Sequence, residues 1–173
     1  MKRLKILIVA VLLASCGTLV NYDYEKSTDF SQYQTYNYFD EMQTGLSALD
    51  TKRIKRAIDS KLKEIGLNKA HDADFYIDIN SETVQYRNNS NVGVGVGGTG
   101  RNVGGGISVG IPLNSQKHTR EIVIEFVDVS NGERLFWQAI SEDTYTQNAS
   151  PEKRQDNFDK LVEKIFENYP PKQ

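Results

Sequence analysis

The chain has 173 residues, 21 of them basic and 23 acidic, for a formal net charge of −2; 38% are hydrophobic and 10% aromatic. That length suits one domain with enough apolar material for a core, which argues against full disorder, and the weak acidic balance argues against a nucleic-acid binder, which would carry a basic surplus. Two histidines, His71 and His118, and one cysteine, Cys16, leave almost no room for a disulfide scaffold, a zinc cluster or a Cys–His nucleophile pair.

The N-terminus reads as an address. Lys2, Arg3 and Lys5 form a positive region, and Ile6 to Ala14 is an unbroken apolar run. This run is too short for a membrane-spanning helix, which needs roughly 20 residues, and has the pattern of a secretory signal peptide. It ends in Leu13-Ala14-Ser15-Cys16, which resembles the lipobox of bacterial lipoproteins. Small residues before the scissile bond fit the peptidase, and the thiol of Cys16 accepts a diacylglyceryl group. Cleavage between Ser15 and Cys16 then removes residues 1–15 and leaves a lipidated Cys16 carrying palmitate-type chains. Each buried acyl CH₂ contributes ~0.8 kcal/mol, so two or more chains anchor stably. Loss of Lys2, Arg3 and Lys5 takes the net charge from −2 to −5. Gly17, and not Asp, follows the cysteine. By analogy with the known sorting rule this points to the outer membrane, with the protein facing the periplasm.

Residues 16–173 are expected to form one domain. Val20, Tyr22 and Tyr24 alternate with Asn21 and Asp23 as a short strand, and Tyr33 to Phe39 forms a second, with Tyr36 and Tyr38 on one face. A helix is predicted over 50–66, its stripe formed by Ile54, Ile58, Leu62 and Ile65. Ser47 or Asp50 caps its start and Gly66 its end. Its opposite face holds Lys52, Arg53, Lys55, Arg56, Lys61 and Lys63, a solvated face or a patch for acidic lipid headgroups. From Asp74 the period becomes two: Phe75, Ile77 and Ile79 point one way, and Asp74, Tyr76, Asp78, Asn80 and Glu82 the other.

Residues 92–111 hold nine of the 13 glycines. Val92, Val94 and Val96, then Ile107, Val109 and Ile111, alternate with small residues, which reads as a Gly-rich hairpin or flexible insertion. Thr119 to Val129 and Arg134 to Tyr145 form a hairpin around Asn131-Gly132. In its first limb Ile122, Ile124 and Phe126 share a face. In the second, Leu135 and Trp137 share one face, with Phe136 and Ile140 on the other. Ser150 caps a last helix with Pro151 at its first position and a stripe of Phe158, Leu161, Val162, Ile165 and Phe166. The fold class expected is α+β: an antiparallel sheet of about five strands with two helices packed on one face, plus the Gly-rich hairpin.

These landmarks resemble, in their order, bacterial lipoproteins of the domain-of-unknown-function 4136 family. The stretch Asp29-Phe30-Ser31-Gln32-Tyr33-Gln34-Thr35-Tyr36-Asn37-Tyr38 is similar to a family motif that often has Trp where Tyr38 stands. Ile65-Gly66-Leu67 follows as a helix stop, Ala73-Asp74-Phe75 as a strand start, and Leu135-Phe136-Trp137 before the closing helix. The resemblance covers nearly all of residues 20–168. It implies a small α+β envelope lipoprotein with no assigned activity and no catalytic residues to carry over.

No catalytic constellation stands out. Gly93, Gly95 and Gly98 match a dinucleotide fingerprint in spacing, but no helix follows to meet a pyrophosphate. His71, Asp72, Asp74 and Asp78 read as solvated strand and loop residues; Asp74 and Asp78 lie about 13 Å apart at ~3.3 Å per residue, too far for one ion. Tyr22, Tyr24, Tyr33, Tyr36 and Tyr38 read first as core filler with wet hydroxyls, second as a sugar or peptide platform. The expected function is a non-enzymatic, lipid-anchored envelope module without metal or cofactor. A protein partner would bind at the exposed sheet face or at the Gly-rich hairpin. An envelope hydrolase and a β-structured oligomer built through the hairpin are the alternatives.

Overall fold

In the computed structural model, residues 18–86, 117–130, 132–146 and 148–172 are described. The signal segment, Cys16 and the Gly-rich stretch 92–111 lie outside them. Strand β1 is Leu19–Tyr24 and β2 Thr35–Tyr38; helix α1 is Ala48–Glu64; β3 is Asn68–Lys69, β4 Phe75–Tyr86, β5 Lys117–Asp128 and β6 Arg134–Tyr145; helix α2 is Pro151–Ile165. The six strands lie in the order β1-β6-β5-β4-β2-β3.

The sheet is mixed, not purely antiparallel as the alternation suggested. β1, β6, β5 and β4 pair antiparallel, but β2 runs parallel to both β3 and β4. The cause is the crossover through α1: parallel neighbours need a long connection, and a helix supplies it. Asp74, just before β4, ties this parallel region together. Its Oδ2 accepts the backbone N–H of Gln34 and Thr35, both at 2.8 Å, and the Thr35 hydroxyl at 2.9 Å.

Local chemistry sets the helix ends. Ser47 Oγ accepts the Asp50 N–H at 3.2 Å, and Ser150 Oγ accepts the Lys153 N–H at 3.2 Å, with Pro151 behind the second cap. α1 ends in a Schellman turn. Gly66 takes φ +96, its N–H donates to Lys63 O, and the Leu67 N–H reaches Leu62 O at 2.9 Å. Leu62 and Leu67 are both buried there.

Both helices press their apolar stripes on the same sheet face. Ile54, Ile58 and Leu62 of α1 and Phe158, Leu161, Val162 and Ile165 of α2 join Tyr36, Tyr38, Phe75, Ile77, Ile79, Ile122, Ile124 and Phe126 in one core. The expected facing of β6 is corrected. Phe126 stands opposite Trp137, but Val127 stands opposite Leu135, so Phe136 is an extra residue, a β-bulge. The bulge turns consecutive Phe136 and Trp137 both inward, each 1% exposed, while Leu135 is 42% exposed and Ile140 lies on the other face. Phe136 stacks on Tyr33 at 4.1 Å between centroids. Trp137 lies 4.6 Å from Phe126 and 5.4 Å from Phe166.

Candidate functional site

Among the described residues, no helix covers the second face of the sheet. Direct cross-strand pairing arranges its side chains in bands running over β4, β5, β6 and β1. Tyr76, Val127 and Leu135 form an apolar band at one end. Beside it run Asp78, Glu125, Gln138 and Asp23; then Asn80, Val123, Ile140 and Asn21; then Glu82, Glu121, Glu142 and Leu19. Among the described residues no Lys or Arg stands in these bands.

This arrangement is electrostatically costly. Residues directly opposite on antiparallel strands hold their Cβ atoms about 4.5–5.5 Å apart, and like charges there destabilise. Glu82, Glu121 and Glu142 line up across three strands, and Asp78 faces Glu125. Burial, and then the negative charge of Asp78, push the Glu125 carboxyl above the usual carboxylate range. The neighbouring bands are apolar. Phe39 and Tyr76 hold their rings 5.5 Å apart, and Val123, Val127 and Ile140 are only half covered. The surface therefore offers half-buried aliphatic strips between rows of carboxylates.

The sequence marked the β4 half of this face, Tyr76, Asp78, Asn80 and Glu82. It missed the rows, although Glu121 and Glu125 alternating with Ile122, Ile124 and Phe126 carried the signal. Asp74, placed with them by alternation, serves as the anchor of β2. His71 is exposed, its Nδ1 3.1 Å from Asp72 Oδ1. No group of three His, Cys, Asp or Glu suited to a metal occurs among the described residues. Ser15, Cys16 and the Gly-rich hairpin lie outside them.

The tyrosines split. Tyr33, Tyr36 and Tyr38 are buried, while Tyr22 is 45% exposed. Tyr36 and Tyr38 both donate to Asp59 Oδ1 at 2.9 Å. Burial first, with the Asp59 charge and hydrogen bond adding to it, raises both phenols above their ordinary value. The ammonium groups of Lys55 and Lys69 lie 4.2 and 4.6 Å from the Tyr38 ring centre. This cluster fastens α1 to β2.

A second polar cluster sits where α1 and α2 begin. Asp50 is 2% exposed and is held by Arg53 Nη1 at 2.8 Å and Arg154 Nη1 at 2.9 Å. Arg120, Asp143, Thr144 and Asn157 line the cleft beside it, about 460 Å³ with its open mouth included. Carboxylates and guanidinium groups alternate here, and the Asp50–Arg154 pair joins the two helices.

The model for the family described as Domain of unknown function (DUF4136) matches residues 20–171. No curated protein matches the sequence. Among solved structures, a PDZ domain protein from Parabacteroides distasonis aligns with a TM-score of 0.58 at 13% identity over 89% of this chain. The match covers 36% of that structure, so the chain spans about a third of its length. A PelC dodecamer from Paraburkholderia phytofirmans aligns with a TM-score of 0.50 at 13% identity, over 87% of this chain and 95% of that one. At these identities the likeness is one of fold.

Proposed function

The chain belongs to the DUF4136 family, and on that footing we propose that it is a lipid-anchored cell-envelope protein that works by docking a protein partner and not by catalysis. Residues 1–15 direct export, and Cys16 becomes the acylated first residue of a domain that stands on the outer membrane and faces the periplasm. The lipobox order of Leu13, Ala14, Ser15 and Cys16 supports the anchor.

The observation that carries the docking role is the sheet face that no described element covers. Its aliphatic strips and unmatched carboxylate rows are what a partner with apolar and basic side chains would cover, since interface centres are apolar and their charges are complementary. A photo-crosslinking residue in place of Ile140 tests this in intact cells, with Lys160 on α2 as the control position. The expected result is a discrete higher-mass adduct from position 140 and none from position 160. A chain that crosslinks to nothing from position 140 contradicts the reading.

A further inference from the structure

Among the described residues, the α1 ridge and the open sheet face carry charge of opposite sign. On the helix side, Lys52, Arg56 and Lys63 are exposed along the outer ridge of α1, about 160–180° around the helix from Ile54 at ~3.6 residues per turn. Among the described residues none of the three forms an ion pair, and Leu49, 63% exposed, heads the same ridge. On the outer face of α2 every lysine is paired locally, Lys153 and Lys160 with Asp156 and Lys164 with Glu167, and Glu152 and Asp159 line the groove it shares with Leu49, Lys52 and Arg56. The ridge of α1 thus carries three cations without an ion pair among the described residues, and the open sheet face carries rows of carboxylates.

We propose that the open sheet face docks the α1 ridge of a second copy of this chain, head to tail. This rests on the docking role assigned above and names its partner. The cation spacings along α1 bracket the spacing of the bands. The carboxylate bands at Asp78–Glu125 and Glu82–Glu121 are four residues apart along the strands, about 13 Å at ~3.3 Å per residue. Arg56 and Lys63 are about 10 Å apart along α1, and Lys52 and Lys63 about 16 Å, at ~1.5 Å per residue. A helix laid along the strands sets its cations over both bands, with their side-chain stems over the Val123–Ile140 strip and Leu49, beyond the first cation, towards the Tyr76–Val127–Leu135 strip. Each copy uses a different face, so the contact is heterologous, and assembly continues until it closes or is capped.

The test uses the full chain in a non-ionic detergent, with protein mass read by sedimentation at matched detergent density. The wild type is expected to exceed monomer mass at about 20 mM salt and to return to monomer at about 1 M, where screening reaches ~3 Å. E121K/E125K spoils the sheet face, and R56E/K63E spoils the ridge; each alone is expected to be monomeric. Lys at position 121 stands between Glu82 and Glu142, which favours folding; E121Q/E125Q is the milder variant, expected to weaken association at least tenfold. Mixing the two charge-reversed variants brings one intact sheet face to one intact ridge, so the mixture is expected to associate, starting from a 1:1 dimer, where each variant alone is monomeric. A wild type that stays monomeric at low salt overturns the inference, as does a mixture that forms no dimer. Loss of binding to phosphatidylglycerol vesicles by R56E/K63E, with every species monomeric, overturns it too and gives the ridge to a lipid surface. A monomeric chain whose crosslinker at position 140 still captures another protein overturns this inference alone and leaves the docking role standing.

Discussion

Glu121 on β5 and Glu142 on β6 stand directly opposite each other on the open sheet face, and Glu82 completes the row from β4. No fold needs such a row, and each like pair opposes the pairing that holds the strands together. Removing the central charge therefore stabilises the isolated domain. Glu121→Gln is expected to raise unfolding stability by about 0.5 kcal/mol, within the ~0.2–1 kcal/mol range of such pairs. Urea denaturation at low salt measures it, and the gain shrinks at about 1 M salt as screening shortens to ~3 Å.

Glu125 gives the same face a pH signature. Burial and Asp78 raise its folded-state value, so the folded chain holds this proton more tightly than the unfolded one. The stability it contributes is complete below the ordinary glutamate range and is lost as pH rises through the raised value. Glu125→Gln is expected to remove that fall. Thermal unfolding from about pH 4 to pH 7 should show a smaller loss of stability in the variant than in the wild type.

Asp50 is a buried carboxylate with two guanidinium partners. Asp50→Ala removes the carboxylate that holds Arg53 and Arg154 and one of the ion pairs between α1 and α2, the Lys61–Glu163 pair remaining. The expected cost is about 3 kcal/mol, in line with breaking a buried pair from one side. Equilibrium urea unfolding reads it directly.

Gly45 has φ +67, and a Cβ added there would collide with the Ser81 carbonyl oxygen. Gly45→Ala is expected to destabilise by about 1–3 kcal/mol through backbone strain and displacement of β4. Gly66→Ala meets no atom within 4 Å. It carries only the cost of its positive φ and should be the milder of the two in the same thermal melt.

Both helices were legible in the sequence because period and punctuation agreed. Ser47 and Gly66 bracket one stripe, and Ser150 with Pro151 opens the other. β4, β5 and β6 followed from two-residue alternation. The parallel setting of β2 was not legible, because β3 is only Asn68–Lys69 and two residues carry no period. The bulge at Phe136 breaks the alternation used to assign faces, so Trp137 and Phe136 were placed on opposite sides when both lie in the core. The carboxylate rows depend on register between strands, which no single strand encodes. The motif residues did meet in space: Thr35 bonds Asp74, and Tyr33 stacks on Phe136.

Whether this chain is an anchored envelope module is decided by the mass of its mature N-terminus. Intact-mass spectrometry of the chain extracted from membranes should show loss of residues 1–15 and a diacylglyceryl-bearing Cys16, while Cys16→Ala keeps the full precursor mass and lacks the lipid. A wild-type chain with an unmodified Cys16 thiol, or a Cys16→Ala variant processed like the wild type, would contradict it.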